Sequence, residues 1–319
     1  MTIQASNVIA GIENPRILIV GPELVSNQSF EENTTGWAES DAGGNLSMTR
    51  AQDITTPFGD YSLDLDKTGG SAHANAYTII DYGSAVSGKK FIWTLFAKYG
   101  GSANQMFTMD FGTDTPGPGS SDQYTAMEYW KKFVLETTMP VTAATTFALY
   151  VYPYSYDEGF SELGHIVIDN VSCREVLYDI QLPLPWVRQF RHGFIPLLQS
   201  GYKLDNAQNK KFYKGLVYYY SAFWNKLTAT QEQNRNKIIM ENQINGRDLI
   251  IFPHKDSDRC YLVSCENDRL EWSWMNGVAI GHEGGIELMG NELFQLAPDD
   301  VVTSSYYEDI IIGEEIIVT

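Results

Sequence analysis

The chain has 319 residues, 22 basic against 40 acidic, for a net charge of −18. That length suits two domains of about 150 residues each, and the charge disfavours counterion-releasing contact with nucleic acid or with an anionic membrane surface. The 19 Tyr, 15 Phe and 7 Trp favour strands, so a mainly β protein is expected. Three cysteines, Cys173, Cys260 and Cys265, cannot build a disulfide framework, and the last two lack the second pair or histidines of a zinc pattern. Buried thiols are expected. No basic segment followed by an apolar core opens the chain, so a signal peptide is not expected. No uncharged apolar run approaches about 18 residues, so neither is a membrane span.

Residues 1 to 22 read as an N-terminal arm with one strand, Arg16-Ile-Leu-Ile-Val20, bounded by Pro15 and Gly21-Pro22. So apolar a strand needs a partner. It either pairs with the second domain, which makes the intervening module an insertion, or docks on another subunit.

From Glu23 to Val176 the sequence reads as one module. Period-two alternation marks Tyr61 to Asp66, Phe91 to Ala97, Met106 to Phe111 and Phe147 to Tyr152. Loops such as Lys67-Thr-Gly69-Gly70 and the Gly/Pro/Ser stretch Thr113 to Asp122 separate them, the second long, polar and expected to be mobile. This is the pattern a β-sandwich requires.

A Pro-containing connector, Leu182 to Trp186, opens a second β-rich domain over residues 177 to 300. Its predicted elements are an aromatic strand through Val217 to Tyr220 and a helix from about Ala229 to Asn245. Thr228 and Gln231 make a capping box for that helix and Gly246 makes its stop. Then follow the strand Asp248 to His254, a hairpin pairing Arg259 to Cys265 with Leu270 to Trp274, and a last strand, Gly285 to Met289. Charge is uneven: residues 1 to 176 hold 9 basic and 21 acidic side chains, residues 177 to 319 hold 13 and 19. Six acids and no base follow Phe294, so residues 301 to 319 read as an acidic and apolar C-terminal extension. At least one of the two apolar termini, this one or the N-terminal strand, is expected to add a strand to a neighbouring subunit and give a homo-oligomeric ring.

The module carries signatures at both ends: Asn27-Gln-Ser-Phe30-Glu31 followed by Gly36-Trp37, Trp130-Lys131 before a late strand, and Ile168-Asp169-Asn170-Val171. In order and spacing these resemble carbohydrate-binding modules of families 4 and 9. The resemblance covers about half the chain and implies a galactose-binding-like jelly-roll sandwich, with Trp37 and Trp130 in its core. It also implies a structural calcium ion held by Glu31 and Asp169, which with carbonyls of residues 27 to 32 would supply the oxygens calcium requires. The other reading is that both carboxylates accept backbone N–H bonds. The arrangement of residues 177 to 300, one helix before an apolar strand into Phe252-Pro-His-Lys-Asp256 and a last Gly-x-Glu-Leu strand, looks like the small β-sandwich domains of bacteriophage tail and baseplate proteins.

No Gly-x-Ser-x-Gly elbow, His-Glu-x-x-His helix or Walker loop is present, and no enzymatic activity is expected. Gly281-His-Glu-Gly-Gly285 is the one tempting cluster, and it reads more simply as a turn between strands. If Trp93, Leu95 and Ala97 face the core, Phe96 faces outward; likewise Tyr150, Tyr152 and Tyr154 share the face opposite Leu149 and Val151. These four aromatics are the glycan-binding candidates, the alternative for the tyrosine row being packing against a loop or subunit. The expected function is a structural protein of a tailed-phage virion, a tail, collar or baseplate ring component displaying a jelly roll for host-surface glycans. The alternative is a free glycan-binding protein or accessory module of a polysaccharide hydrolase. Expected partners are other virion proteins and a cell-surface glycan, the expected place is the virion, and neither nucleic-acid binding nor membrane insertion is expected.

Overall fold

The computed structural model describes residues 14–41, 44–53, 55–56, 58–69, 74–101, 106–112, 121–140, 143–154, 163–183, 190–202, 209–253, 259–266, 273–274 and 282–294. The protein is mainly β and divides into two compact units: Gly21–Val176, and Met1–Val20 together with Leu177–Thr319. Among the described residues no helix is long and apolar enough to cross a membrane.

The first unit is a jelly-roll sandwich of two antiparallel sheets. One sheet runs in the order β2 (Trp37–Asp41), β5 (Ala74–Asp81), β10 (Thr146–Tyr152), β7 (Met106–Gly112), β8 (Ser121–Thr125). The facing sheet runs β3 (Leu46–Gln52), β4 (Tyr61–Lys67), β11 (Gly164–Gln181), β6 (Lys90–Tyr99), β9 (Lys131–Thr138). Alternate residues of each strand enter the space between them: Leu63 and Leu65, Trp93, Leu95 and Ala97, Phe107, Met109 and Phe111, Phe147, Leu149 and Val151. Aromatic edges lock the layers, with Phe107 against Phe133 at 4.9 Å and Trp93 against Phe111 at 5.6 Å, both near perpendicular.

The Ile-Asp-Asn-Val signature is a bulge in β11. Register shifts between Asp169 and Ser172, and Asn170 takes a φ of 45°, a left-handed conformation asparagine tolerates better than most residues. The segment after β1 (Arg16–Glu23) lies against this strand, with Leu24 donating to the Cys173 carbonyl and Val171 to the Gln28 carbonyl. Glu23 holds the junction: its carboxylate accepts from the Leu24, Val25 and Cys173 amides and the Ser172 hydroxyl.

In the second unit the described strands order as β1, β14 (Asp248–Phe252), β15 (Tyr261–Cys265), β17 (His282–Phe294), β13 (Asn209–Leu227), β12 (Phe190–Tyr202), all antiparallel. β1 is no free arm. Arg16 to Val20 pair with Phe252 to Asp248, and Ile17, Leu18, Ile19 and Val20 are fully buried. Burying four branched side chains at about 1.5–3 kcal/mol each explains why the strand stays on its own unit. The jelly roll is therefore an insertion between β1 and the end of β11. Residues 1 to 13 and 301 to 319 lie outside the described residues, as do 113 to 120, 184 to 189 and Gly281.

The helix α1 (Ala229–Gln243) starts at Thr228, whose hydroxyl accepts from the Gln231 amide while the Gln231 side chain accepts from Thr228 N–H. Gly246, at φ 64°, follows its end. Ile238 and Ile239 join a core with Ile17, Ile19, Leu249, Ile251, Val263 and the stacked pair Tyr218 and Tyr261, 3.8 Å apart. Of the hairpin expected between Arg259 and Trp274, residues 267 to 272 lie outside the described residues, and the described parts pair elsewhere. β15 pairs with β14 and β17, while β16 (Ser273–Trp274) pairs with β17, because that long strand offers one edge to both. His282, Glu283, Gly284 and Gly285, expected in a turn, also belong to β17. All three cysteines are buried and free.

Candidate functional site

The outer face of the five-stranded sheet gathers aromatic and polar side chains in two rows set by register. One row runs Ala38, Tyr77, Tyr150, Asp110; each neighbour is a direct cross-strand pair. In the next, Ser40 faces Asn75, and Tyr152 faces Thr108, which faces Gln123. Core-facing Ala76 and Phe111 alternate with these positions, so period two alone puts Asn75, Tyr77 and Asp110 on the outer face. The tyrosines form a continuous run, with ring centroids 5.7 Å apart for Tyr77 and Tyr150, 6.3 Å for Tyr150 and Tyr152 and 5.8 Å for Tyr152 and Tyr154.

This run is not the solvent-exposed platform the alternation suggests. Tyr150, Tyr152 and Tyr154 keep 5%, 1% and 0% of their surface and make a small core of their own with Ala148, against which Tyr77 packs. Each ring covers the next, and the Lys67 ammonium lies 3.9 Å from the Tyr154 ring centroid. The chain beyond β10 turns in tightly: Gly164 leaves room for the Pro153 carbonyl where any Cβ would collide, and the Thr108 hydroxyl donates to the Tyr154 carbonyl at 3.1 Å.

Two buried polar side chains on this face have atoms without a hydrogen-bond partner. Asn75 is fully buried, with neither its amide oxygen nor its nitrogen hydrogen-bonded. Asp110 is buried with Oδ1 unpaired, and burial pushes its carboxyl up to about 7 against one backbone bond from Phe111. An unsatisfied buried polar group costs about 1–3 kcal/mol. Polar groups of this kind beside aromatic rings are chemically suited to a hydroxyl-rich ligand. Half-buried Ser40 and Tyr77 and exposed Ile79 continue the face toward solvent.

Phe96 belongs to the other sheet and is also covered, by Phe58 at 5.1 Å edge-on, so it is no sugar platform. Trp130, expected in the core, is half-buried outside it: its indole N–H donates to the Thr55 hydroxyl at 3.3 Å and the Lys98 ammonium lies 5.1 Å from its ring. Trp37 is in the core and donates to the Asn27 carbonyl at 3.2 Å.

Glu31 and Asp169 lie in one electrostatic neighbourhood. Asp169 is fully buried; its Oδ1 accepts from the Asn170 amide at 2.7 Å and its Oδ2 has no partner. Burial, together with the negative fields of Glu31 and Asp53, pushes its carboxyl up to about 8. Glu31 accepts from the amides of Asp60 and Tyr61 at 3.1 and 3.0 Å, its carboxylate filling the space where Gly59 lacks a Cβ. An orphaned buried oxygen among carboxylates fits a divalent cation. Carbonyls of residues 27 to 32 are a narrower source of ligands than expected: the Phe30 and Glu31 carbonyls accept from the Arg50 guanidinium and the Gln28 carbonyl from Val171. Among the described residues no group of three or more His, Cys, Asp or Glu side chains is arranged to hold a metal.

Fold and site thus describe a jelly-roll sandwich with one partly closed aromatic and polar face. No family model and no curated protein sequence matches the chain. Solved structures do. The CBM22-1–GH10 modules of an endo-1,4-β-D-xylanase from Clostridium thermocellum, complexed with xylohexaose, match at 18% identity and TM-score 0.37 over 48% of this chain and 28% of that one. The enzymatically active domain of tailspike protein 4 from bacteriophage CBA120 matches at 20% identity and TM-score 0.36, over 48% of this chain and 21% of that one. The CBM22-1 xylan-binding domain of Paenibacillus barcinonensis Xyn10C matches at 20% identity and TM-score 0.36, over 50% and 97%. The chain thus spans under a third of the first two. At these identities and scores the likenesses carry no argument about what this chain binds, and the jelly roll stands on its own strand order.

Sequence reasoning missed Asn75, Tyr77 and Asp110. The signal was present for Asp110, which alternates with Met109 and Phe111, but only the register beside Tyr150 turns an outward acid into part of a site.

Proposed function

We propose that the jelly roll is a non-catalytic glycan-binding module. Its ligand is a sugar whose hydroxyls reach Asn75 and Asp110 while a ring face rests on half-buried Tyr77. Tyr150, Tyr152 and Tyr154 support that ring by packing. The observation that carries this reading is the unpartnered Asn75 amide and the unpaired Asp110 Oδ1, both buried on the same sheet face as the tyrosines. Asp169 and Glu31 would hold a calcium ion at the β11 bulge, supplying charge compensation there and no chemistry at the sugar face. The wider protein is proposed as a virion structural component of a tailed phage that assembles with other virion proteins and copies of itself. The insertion of the module at two chain crossings, through β1 and β11, supports a display role over that of a free glycan-binding protein or hydrolase accessory.

A glycan array probed with the full-length protein tests the binding: the wild type should bind a defined set of sugars and Tyr77→Ala should lose at least about 10-fold in affinity, the worth of one stacked ring. No binding, or equal binding by the variant, would sink the assignment. Mass spectrometry of purified virions tests the setting, and a copy number of zero would leave the free-protein reading.

A further inference from the structure

The strongest charge reversal in the chain lies on the β12–β13 hairpin. Residues 190 to 227 hold six Lys and Arg against one acid, in a protein of net −18, whereas residues 21 to 176 hold eight basic and twenty acidic side chains. The backbone sets this basic stretch in an unusual place. β12 ends the sheet order, so among the described residues no strand pairs with its outer edge over 13 residues. β17 pairs with β13 only from Leu216 to Leu227, so Asn209 to Gly215 have β12 as their one described strand partner. Among the described residues the distal hairpin is thus a two-stranded ribbon, with Lys210 opposite Gly201, Lys211 opposite Ser200 and Lys214 at the bulge where register shifts between Leu197 and Leu198.

A two-stranded ribbon is marginal in water on its own, and open strand edges recruit other polypeptide. Clustered lysines decide which polypeptide. Two ribbons repel each other, so ribbon-to-ribbon pairing is disfavoured, and an acidic surface is favoured. Nucleic acid would meet the charge but would not pair with a strand edge, and the remaining acids of the chain oppose it. We propose that the β12–β13 ribbon docks on the acidic jelly-roll unit of a second copy of this chain, a heterologous contact between two different surfaces. Such a contact repeats from copy to copy and closes into a ring or grows into a filament. Charge attraction of this kind acts within a Debye length of about 8 Å at physiological salt, so the contact weakens as salt rises. The proposal shares only self-assembly with the virion reading; a protein absent from virions that still associates through this ribbon would sink that reading alone.

The test uses the full-length protein. Heavy-isotope-labelled and unlabelled copies are mixed and joined with a zero-length reagent that couples lysine amines to carboxylates. Mixed-isotope links from Lys210, Lys211 or Lys214 to acids within residues 21 to 176 are expected. In sedimentation, K210E/K211E/K214E should weaken self-association by about 100-fold, and the gentler K210Q/K211Q/K214Q by about 10-fold, with unchanged circular dichroism. The proposal is overturned by a wild type that stays monomeric at high micromolar concentration in low salt. Links confined to single copies, or association unchanged in both folded variants, would overturn it equally. So would retention on immobilised duplex DNA without self-association.

Discussion

Asp169 and Asp110 are carboxylic acids that the fold keeps protonated well above their ordinary value of 3.8, to about 8 and about 7. A folded-state value raised in this way favours folding at low pH. The contribution is complete below about 4 and is lost as pH rises toward the folded value, since the unfolded chain releases the proton first. Melting in chelator should therefore fall as pH rises from about 4 to about 8. The proposed calcium ion would bind the deprotonated carboxylate of the folded state, so adding it should raise the melt most at the alkaline end. Asp169→Asn should flatten the slope and abolish the calcium effect, and a wild-type melt at pH 8 indifferent to chelator would remove the ion from this site. Tyr152 makes a separate case. Its ring is enclosed by Tyr150 and Tyr154, so Tyr152→Ala should cost about 3–5 kcal/mol in denaturant unfolding, as for other buried aromatics; a loss under 1 kcal/mol would return it to the surface.

At the scale of elements, α1 is the clearest case of sequence dictating structure. Thr228, Gln231 and Gly246 carry start and stop signals that act within one helical turn, so no tertiary knowledge is needed to place them. The strands of the jelly roll are legible for the same reason, since alternation is local. What alternation leaves open is what lies over a face: it separates Tyr150 from Leu149 correctly yet cannot say that the tyrosines bury one another. It equally cannot say which edge a strand takes, and the described parts of the expected Arg259–Trp274 hairpin both pair with β17. β17 also meets the helix at Gly284, where a Cβ would collide with the Arg235 guanidinium, and Arg235 is buried. Gly284→Ala should thus cost about 1–3 kcal/mol, against about 1 kcal/mol for Thr228→Ala at the exposed cap. Equal costs in chemical denaturation would mean that the helix seat tolerates displacement.

For the whole molecule, the signatures around Phe30 and Asp169 mark the jelly roll because they sit at its two chain crossings, where Glu23 and the β11 bulge join its ends. The partner of β1 was open in the sequence, because an apolar strand states only that it must be covered; its register with β14 makes the module an insertion. The proposed binding face was half legible, its aromatics visible as a row and its polar pair hidden until the strands are laid side by side. Asn75 is where the two demands on the molecule separate, since its unpartnered amide is a burden on folding and an asset only to a ligand. Isothermal titration of a sugar selected from the array, run against wild type and Asn75→Ala, therefore tests the glycan face most directly. The variant should melt at or above the wild-type temperature and bind at least about 10-fold more weakly, the worth of one hydrogen bond to a buried group. A variant that binds as tightly as the wild type would contradict the account.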